Sequence, residues 1–167
     1  MALQLMLLVG FLSAPDGSDQ ATVSPSLDLV GPFLVRVGNA TALPGRARSR
    51  IERNEQGEVV RLYLDRLDLQ AADYAALAHL PELCTLSLRG TGATSGDLAS
   101  LRELTKLESL VLTETQIDDD VLPHLLALPA LKTLCLLGVD VSSDAVSELK
   151  RLRPKLGLGY SPRRPAP

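Results

Sequence analysis

Residues 83–95 read LCTLSLRGTGATS, residues 107–119 read LESLVLTETQIDD, and residues 131–143 read LKTLCLLGVDVSS. Laid over one another at an offset of 24, they align Leu83, Leu107 and Leu131, then Leu86, Leu110 and Leu134, then Leu88, Leu112 and Leu136. The phase reaches back to Leu62-x-Leu64 and forward, after 22 residues, to Leu156-x-Leu158. Further columns fall between these pairs. Leu77, Leu101, Leu125 and Leu149 form one, and Leu80, Leu104, Leu128 and Leu152 another. Tyr74, Leu98, Leu122 and Val146 form a third. A period in this range means one supersecondary unit copied several times, each copy unable to bury its apolar side alone.

Each copy has two textures. The L-x-L piece alternates, as a half-buried strand does. The later piece is apolar at i, i+3 and i+6, as in Tyr74-Leu77-Leu80, which fits a short helix or 3₁₀ turn with one inward face. Polar starts precede these pieces at Thr94-Ser95, Asp118-Asp119-Asp120 and Ser142-Ser143-Asp144. Such side chains satisfy free N–H groups at a helix start. Pro81 and Pro129 stop the helical piece before the next strand. The expected class is α/β: a curved parallel sheet on one side, short helices on the wider opposite side.

The motif L-x-x-L-x-L, at Leu83-x-x-Leu86-x-Leu88, Leu107-x-x-Leu110-x-Leu112 and Leu131-x-x-Leu134-x-Leu136, resembles the leucine-rich repeat family. The likeness is greatest to bacterial 24-residue repeats of the form L-x-L-x-x-T-x-[IV]-x-D, with Leu110-x-Leu112-x-x-Thr115-x-Ile117-x-Asp119 the clearest copy. It implies a short leucine-rich repeat solenoid with a concave sheet, recognising a protein or peptide on that face. The family usually places Asn where this chain has Leu67, Thr91, Thr115 and Val139. A Thr hydroxyl can replace an Asn bond to the backbone; Leu and Val cannot.

Four segments are expected. Residues 1–14 are apolar and fit a secretory signal, but no Lys or Arg precedes the apolar run and Pro15 follows Ala14. Cytoplasmic and secreted locations both stay open. Residues 15–50 read as loop-rich, with an alternating Phe33 to Val37. Residues 51–160 hold the repeats, opened by a hairpin-like cap whose turn is Asn54 to Gly57. Residues 161–167, rich in Pro and Arg, read as a disordered basic tail.

Chemistry is scarce. The chain has two His, two Cys and no Trp. His79 and His124 fall on the helical side, whereas Cys135 lies on the sheet side, so no Cys–His pair is expected within hydrogen-bond reach. Cys84 and Cys135 sit two rungs apart, roughly 10 Å, beyond the roughly 7 Å that a disulfide spans. Asp118 to Asp120 read as a helix start rather than an ion site, and no phosphate-binding loop is present. The expectation is no catalytic residue, no metal and no cofactor. A net charge of −3 argues against nucleic acid, and no apolar run is long enough to span a membrane.

Only one surface is repeated and ordered: the outward side of the strands. Alternation puts Arg61, Tyr63 and Asp65 there, then Thr85, Ser87 and Arg89, then Ser109, Val111 and Thr113. Thr133, Cys135 and Leu137 follow, then Lys155, Gly157 and Gly159. The partner-binding candidates are Arg61, Tyr63, Asp65, Arg89, Val111, Thr113, Cys135 and Leu137. Five rungs span roughly 24 Å and each strand roughly 15 Å, about half the area one partner contributes to a standard interface. The expectation is a non-catalytic interaction module. The alternative is a structural fragment of a larger repeat receptor, effector or cell-envelope protein. A weak homodimer through the Leu156 to Tyr160 end stays open.

Overall fold

The computed structural model of the protein describes residues 48–164. The apolar segment 1–14, nearly all of segment 15–50, and residues 165–167 lie outside the described residues.

The chain is mixed α/β. Six strands form one sheet in sequential order: β1 (Arg48–Arg53), β2 (Val59–Asp65), β3 (Thr85–Ser87), β4 (Ser109–Val111), β5 (Thr133–Val139) and β6 (Gly157–Pro162). β1 and β2 pair antiparallel; every later pair is parallel. Leu62, Leu86, Leu110, Leu134 and Leu158 are cross-strand partners along a single row. The row keeps its 24-residue step to the end: where the sequence shortens by two, the step from Leu134 lands on Leu158 rather than Leu156.

The antiparallel start follows from its turn. Asn54 Oδ1 accepts the backbone N–H groups of Gln56 and Glu58 at 3.1 and 2.9 Å. Gly57 takes φ +84° without steric penalty. β1 begins at Arg48, three residues before the boundary expected at 51.

Helical segments fill the intervals between parallel strands: α1 (Ala71–Leu77), a 3₁₀ segment (Asp97–Glu103), a 3₁₀ turn (Asp119–Val121) running into α2 (Leu122–Leu126), and α3 (Ser143–Leu152). Their starts are held by side chains. Asp97 Oδ2 accepts the Thr94 N–H and hydroxyl. Asp118 accepts the Asp120 N–H, and Ser142 Oγ accepts that of Ala145. Asp119 accepts the Ser142 N–H, and hydrogen bonds from Ser142 hold its carboxyl below the usual range. The three consecutive aspartates thus begin with two that do turn and capping work. At the other end of α2, Arg153 donates to the carbonyls of Leu126 and Leu128.

One face of the sheet is covered by these segments. Leu62, Leu64, Leu86, Leu88, Leu110, Leu112, Leu134 and Leu136 are fully buried there, joined by the helical columns of Leu77, Leu101, Leu125 and Leu149. Burying a Leu is worth about 1.5–3 kcal/mol, so the repeated column dominates stability. Thr91 and Thr115 are buried and donate to the carbonyls of Leu88 and Leu112 at 2.8 and 3.2 Å. At the same position Leu67 and Val139 are simply buried in apolar contact.

Tyr74 is the polar intruder. It is 2 % exposed, and among the described residues its hydroxyl has no hydrogen-bond partner. Burial pushes that hydroxyl above its ordinary value, and Thr91 beside it offsets part of the effect.

β6 runs past the boundary expected at 160. Ser161 and Pro162 pair with Leu137 and Val139, and the Arg163 N–H donates to the Val139 carbonyl. Residues 161–163 therefore continue the sheet instead of starting a disordered tail, because β5 is long enough to offer them partners.

Candidate functional site

The opposite face of the sheet carries no helix among the described residues. Alternation along the strands brings Tyr63, Ser87, Val111, Cys135 and Gly159 into one row across it. Arg61, Thr85, Ser109, Thr133 and Gly157 make a second row. Asp65 ends β2, Arg89 and Thr113 lie just beyond β3 and β4, and Leu137 pairs with Ser161 in β5 and β6. Lys155, expected to open the fifth rung, lies before β6 instead.

The two halves of this face differ. On the β1–β2 side the polar groups are already engaged. Arg61 Nη1 meets Glu52 at 2.9 Å, and Glu52 holds the guanidinium above its ordinary value. The Arg50 guanidinium lies 5.8 Å from the Tyr63 ring centre, within cation–π range. Ser87 donates to Asp65 at 2.8 Å, which buries its hydroxyl although alternation pointed it outward. Arg50 and Glu52 escaped the sequence reading because only the antiparallel register sets them opposite Tyr63 and Arg61.

On the β4–β5 side Val111 and Cys135 are half-buried cross-strand partners, and Leu137 is 38 % exposed. Thr113 Oγ1 lies 3.7 Å from Cys135 Sγ. Gly159 lies next along this row, and a Cβ there would make only ordinary contact with Cys135 Sγ, at 3.7 Å. Cys84 and Cys135 are both free thiols. His79 is exposed and His124 half-buried on the helical side.

The strand ends add a feature that the sequence reading missed. Arg66, Gly90, Glu114 and Gly138 stand 24 residues apart, and all four have φ between +58° and +66°. In this conformation the N–H groups of Arg66, Gly90 and Glu114 continue the ladder to the carbonyls of Arg89, Thr113 and Leu137, at 2.6, 2.7 and 2.8 Å. Gly adopts it freely; a side chain there costs about 1–2 kcal/mol. The available signal was the 24-residue column itself, which alternates charged residue and glycine.

Glu114 draws two cations: Arg66 Nη2 at 3.6 Å and Arg89 Nη2 at 3.7 Å. Arg66 reaches it across Gly90, where a Cβ would come within 2.8 Å of Arg66 Cγ. Beside Glu114 opens a cleft of about 450 Å³, bordered by Gly90, Gly92, Gln116, Gly138 and Arg163. Arg163 is held at its border, donating to the Thr115 carbonyl at 2.5 Å and pairing with Asp140 at 3.5 Å.

Among the described residues no helix is long and apolar enough to cross a membrane. In comparison with known proteins, no family model and no curated protein matches the chain.

Proposed function

We propose that the protein is a short leucine-rich repeat solenoid that binds a protein or peptide on the concave, helix-free face of its sheet and has no catalytic role. One observation carries this reading: strands stepping by 24 residues hold one leucine row in register and leave a single ordered face bare. That face runs from an aromatic and charged side at Arg61, Tyr63, Asp65 and Arg89 to an apolar side at Val111, Thr113, Cys135 and Leu137. An apolar anchor beside polar groups is the usual make-up of a recognition surface. The small area of the sheet favours weak or loop-assisted binding.

Photo-crosslinking in the source cell tests it. A benzophenone side chain placed at Ser109, on the bare face, is compared with one at Arg102, which is exposed on the helical side. Partner adducts are expected from Ser109 and are expected to drop when Tyr63→Ala and Arg89→Ala are added. Adducts equally abundant from Arg102, or unchanged by those substitutions, would overturn the reading.

A further inference from the structure

The fold needs a left-handed backbone at four strand ends and meets it with glycine at Gly90 and Gly138. At Arg66 and Glu114 it carries charged side chains in the same strained conformation. Backbone geometry does not call for those side chains. Their placement does something else: it gathers two guanidiniums, from Arg66 and Arg89, around one carboxylate.

The gathering is loose. Both nitrogen–oxygen distances exceed hydrogen-bonding range, and among the described residues neither guanidinium donates a side-chain hydrogen bond. A guanidinium has five N–H donors and its preferred acceptor is a bidentate carboxylate or phosphate. The Arg66, Arg89 and Glu114 side chains are 38 %, 49 % and 50 % exposed, so an incoming group can reach them. Arg89 lies on the margin of the bare face, and the glycine-bordered cleft gives backbone room next to Glu114.

We propose that Arg66 and Arg89 form a carboxylate-binding site for an acidic side chain of a peptide partner, and that Glu114 occupies this site in the free protein as an intramolecular competitor. A carboxylate is favoured over phosphate because the group the two guanidiniums already draw in is a carboxylate, that of Glu114, and an acidic side chain replaces it like for like. The inference deepens the recognition reading above and rests on it for the identity of the ligand as part of a peptide.

The test uses variants that borrow the residue the fold already employs. Glu114→Gly and Arg66→Gly keep the left-handed turn and relieve its strain, so both are expected to fold, as checked by thermal denaturation. An acetylated and amidated peptide with one central glutamate is titrated against the full chain, with its glutamine twin and inorganic phosphate as separate arms. The backbone amide resonances of Gly90, Thr91 and Thr113, which remain in every variant, give the readout. The expected result is glutamate binding at least tenfold tighter in Glu114→Gly than in wild type, lost in Arg66→Gly combined with Arg89→Gln, and absent for the glutamine twin. Equal response to both peptides, no gain in Glu114→Gly, or binding of phosphate alone would overturn the proposal. This assay needs no cellular partner, so its failure is separable from a failure of the crosslinking experiment.

Discussion

The same strands present two faces that were filled by opposite rules. Beneath the sheet, Leu62, Leu86, Leu110 and Leu134 repeat one residue in one environment, each fully buried. Above it, their neighbours Tyr63, Ser87, Val111 and Cys135 are four different residues in one row. The buried row carries the fold many times over. The bare row carries each piece of chemistry once. A change on one face should therefore register as stability and on the other as binding.

The sharpest way to break that division is Leu110→Ala against Val111→Ala, adjacent residues on opposite faces. Leu110→Ala leaves a cavity in the middle of the column and is expected to cost about 3–4 kcal/mol. Val111→Ala, on the half-open side, is expected to cost under about 1 kcal/mol. Urea denaturation of the two variants measures both, and comparable losses would show that the bare face shares the structural load.

Gly90→Ala probes the border between the faces. Its φ of +64° disfavours any side chain, and the new Cβ would press on Arg66 Cγ at 2.8 Å. The expected loss is about 1–2 kcal/mol, again by denaturation. Arg66 is a flexible side chain, so a loss near zero would mean that it swings aside and the backbone accepts alanine there.

Tyr74→Phe gives the smallest effect, and its sign is informative. Removing a buried hydroxyl without a hydrogen-bond partner is expected to raise stability by up to about 1 kcal/mol. A clear loss would show that the hydroxyl finds a partner in solution, and the column shared with Leu98, Leu122 and Val146 would then tolerate polarity better than its neighbours do.

Much of this is legible in the sequence. The L-x-L spacing set the ladder, the i, i+3, i+6 columns located the helical intervals, and Asn54 to Gly57 announced the opening turn. The outward residues other than Arg89, Thr113 and Lys155 were placed on the correct strands by alternation. Their partners were not. Ser87 was read as an open-face hydroxyl, yet it is consumed by Asp65, 22 residues away. Arg61 was read as free to meet a partner, yet Glu52 holds it from the antiparallel strand. Glu114 and Arg66 were passed over because in an idealised strand they have no special direction.

By itself, the sequence determined the repeat length, the leucine rows and the alternation of faces. Those properties depend on the local periods of strand and helix, and one phase repeated along the chain makes the register self-consistent. Only the tertiary structure decided which charges meet. Arg66 and Glu114 lie 48 residues apart, and Arg163 reaches Thr115 across the same distance. Their encounters depend on left-handed turns at the strand ends and on glycines that leave room for a side chain to cross. Neither condition follows from periodicity: one is a backbone torsion, and the other is the space left by a neighbour that only stacking brings alongside.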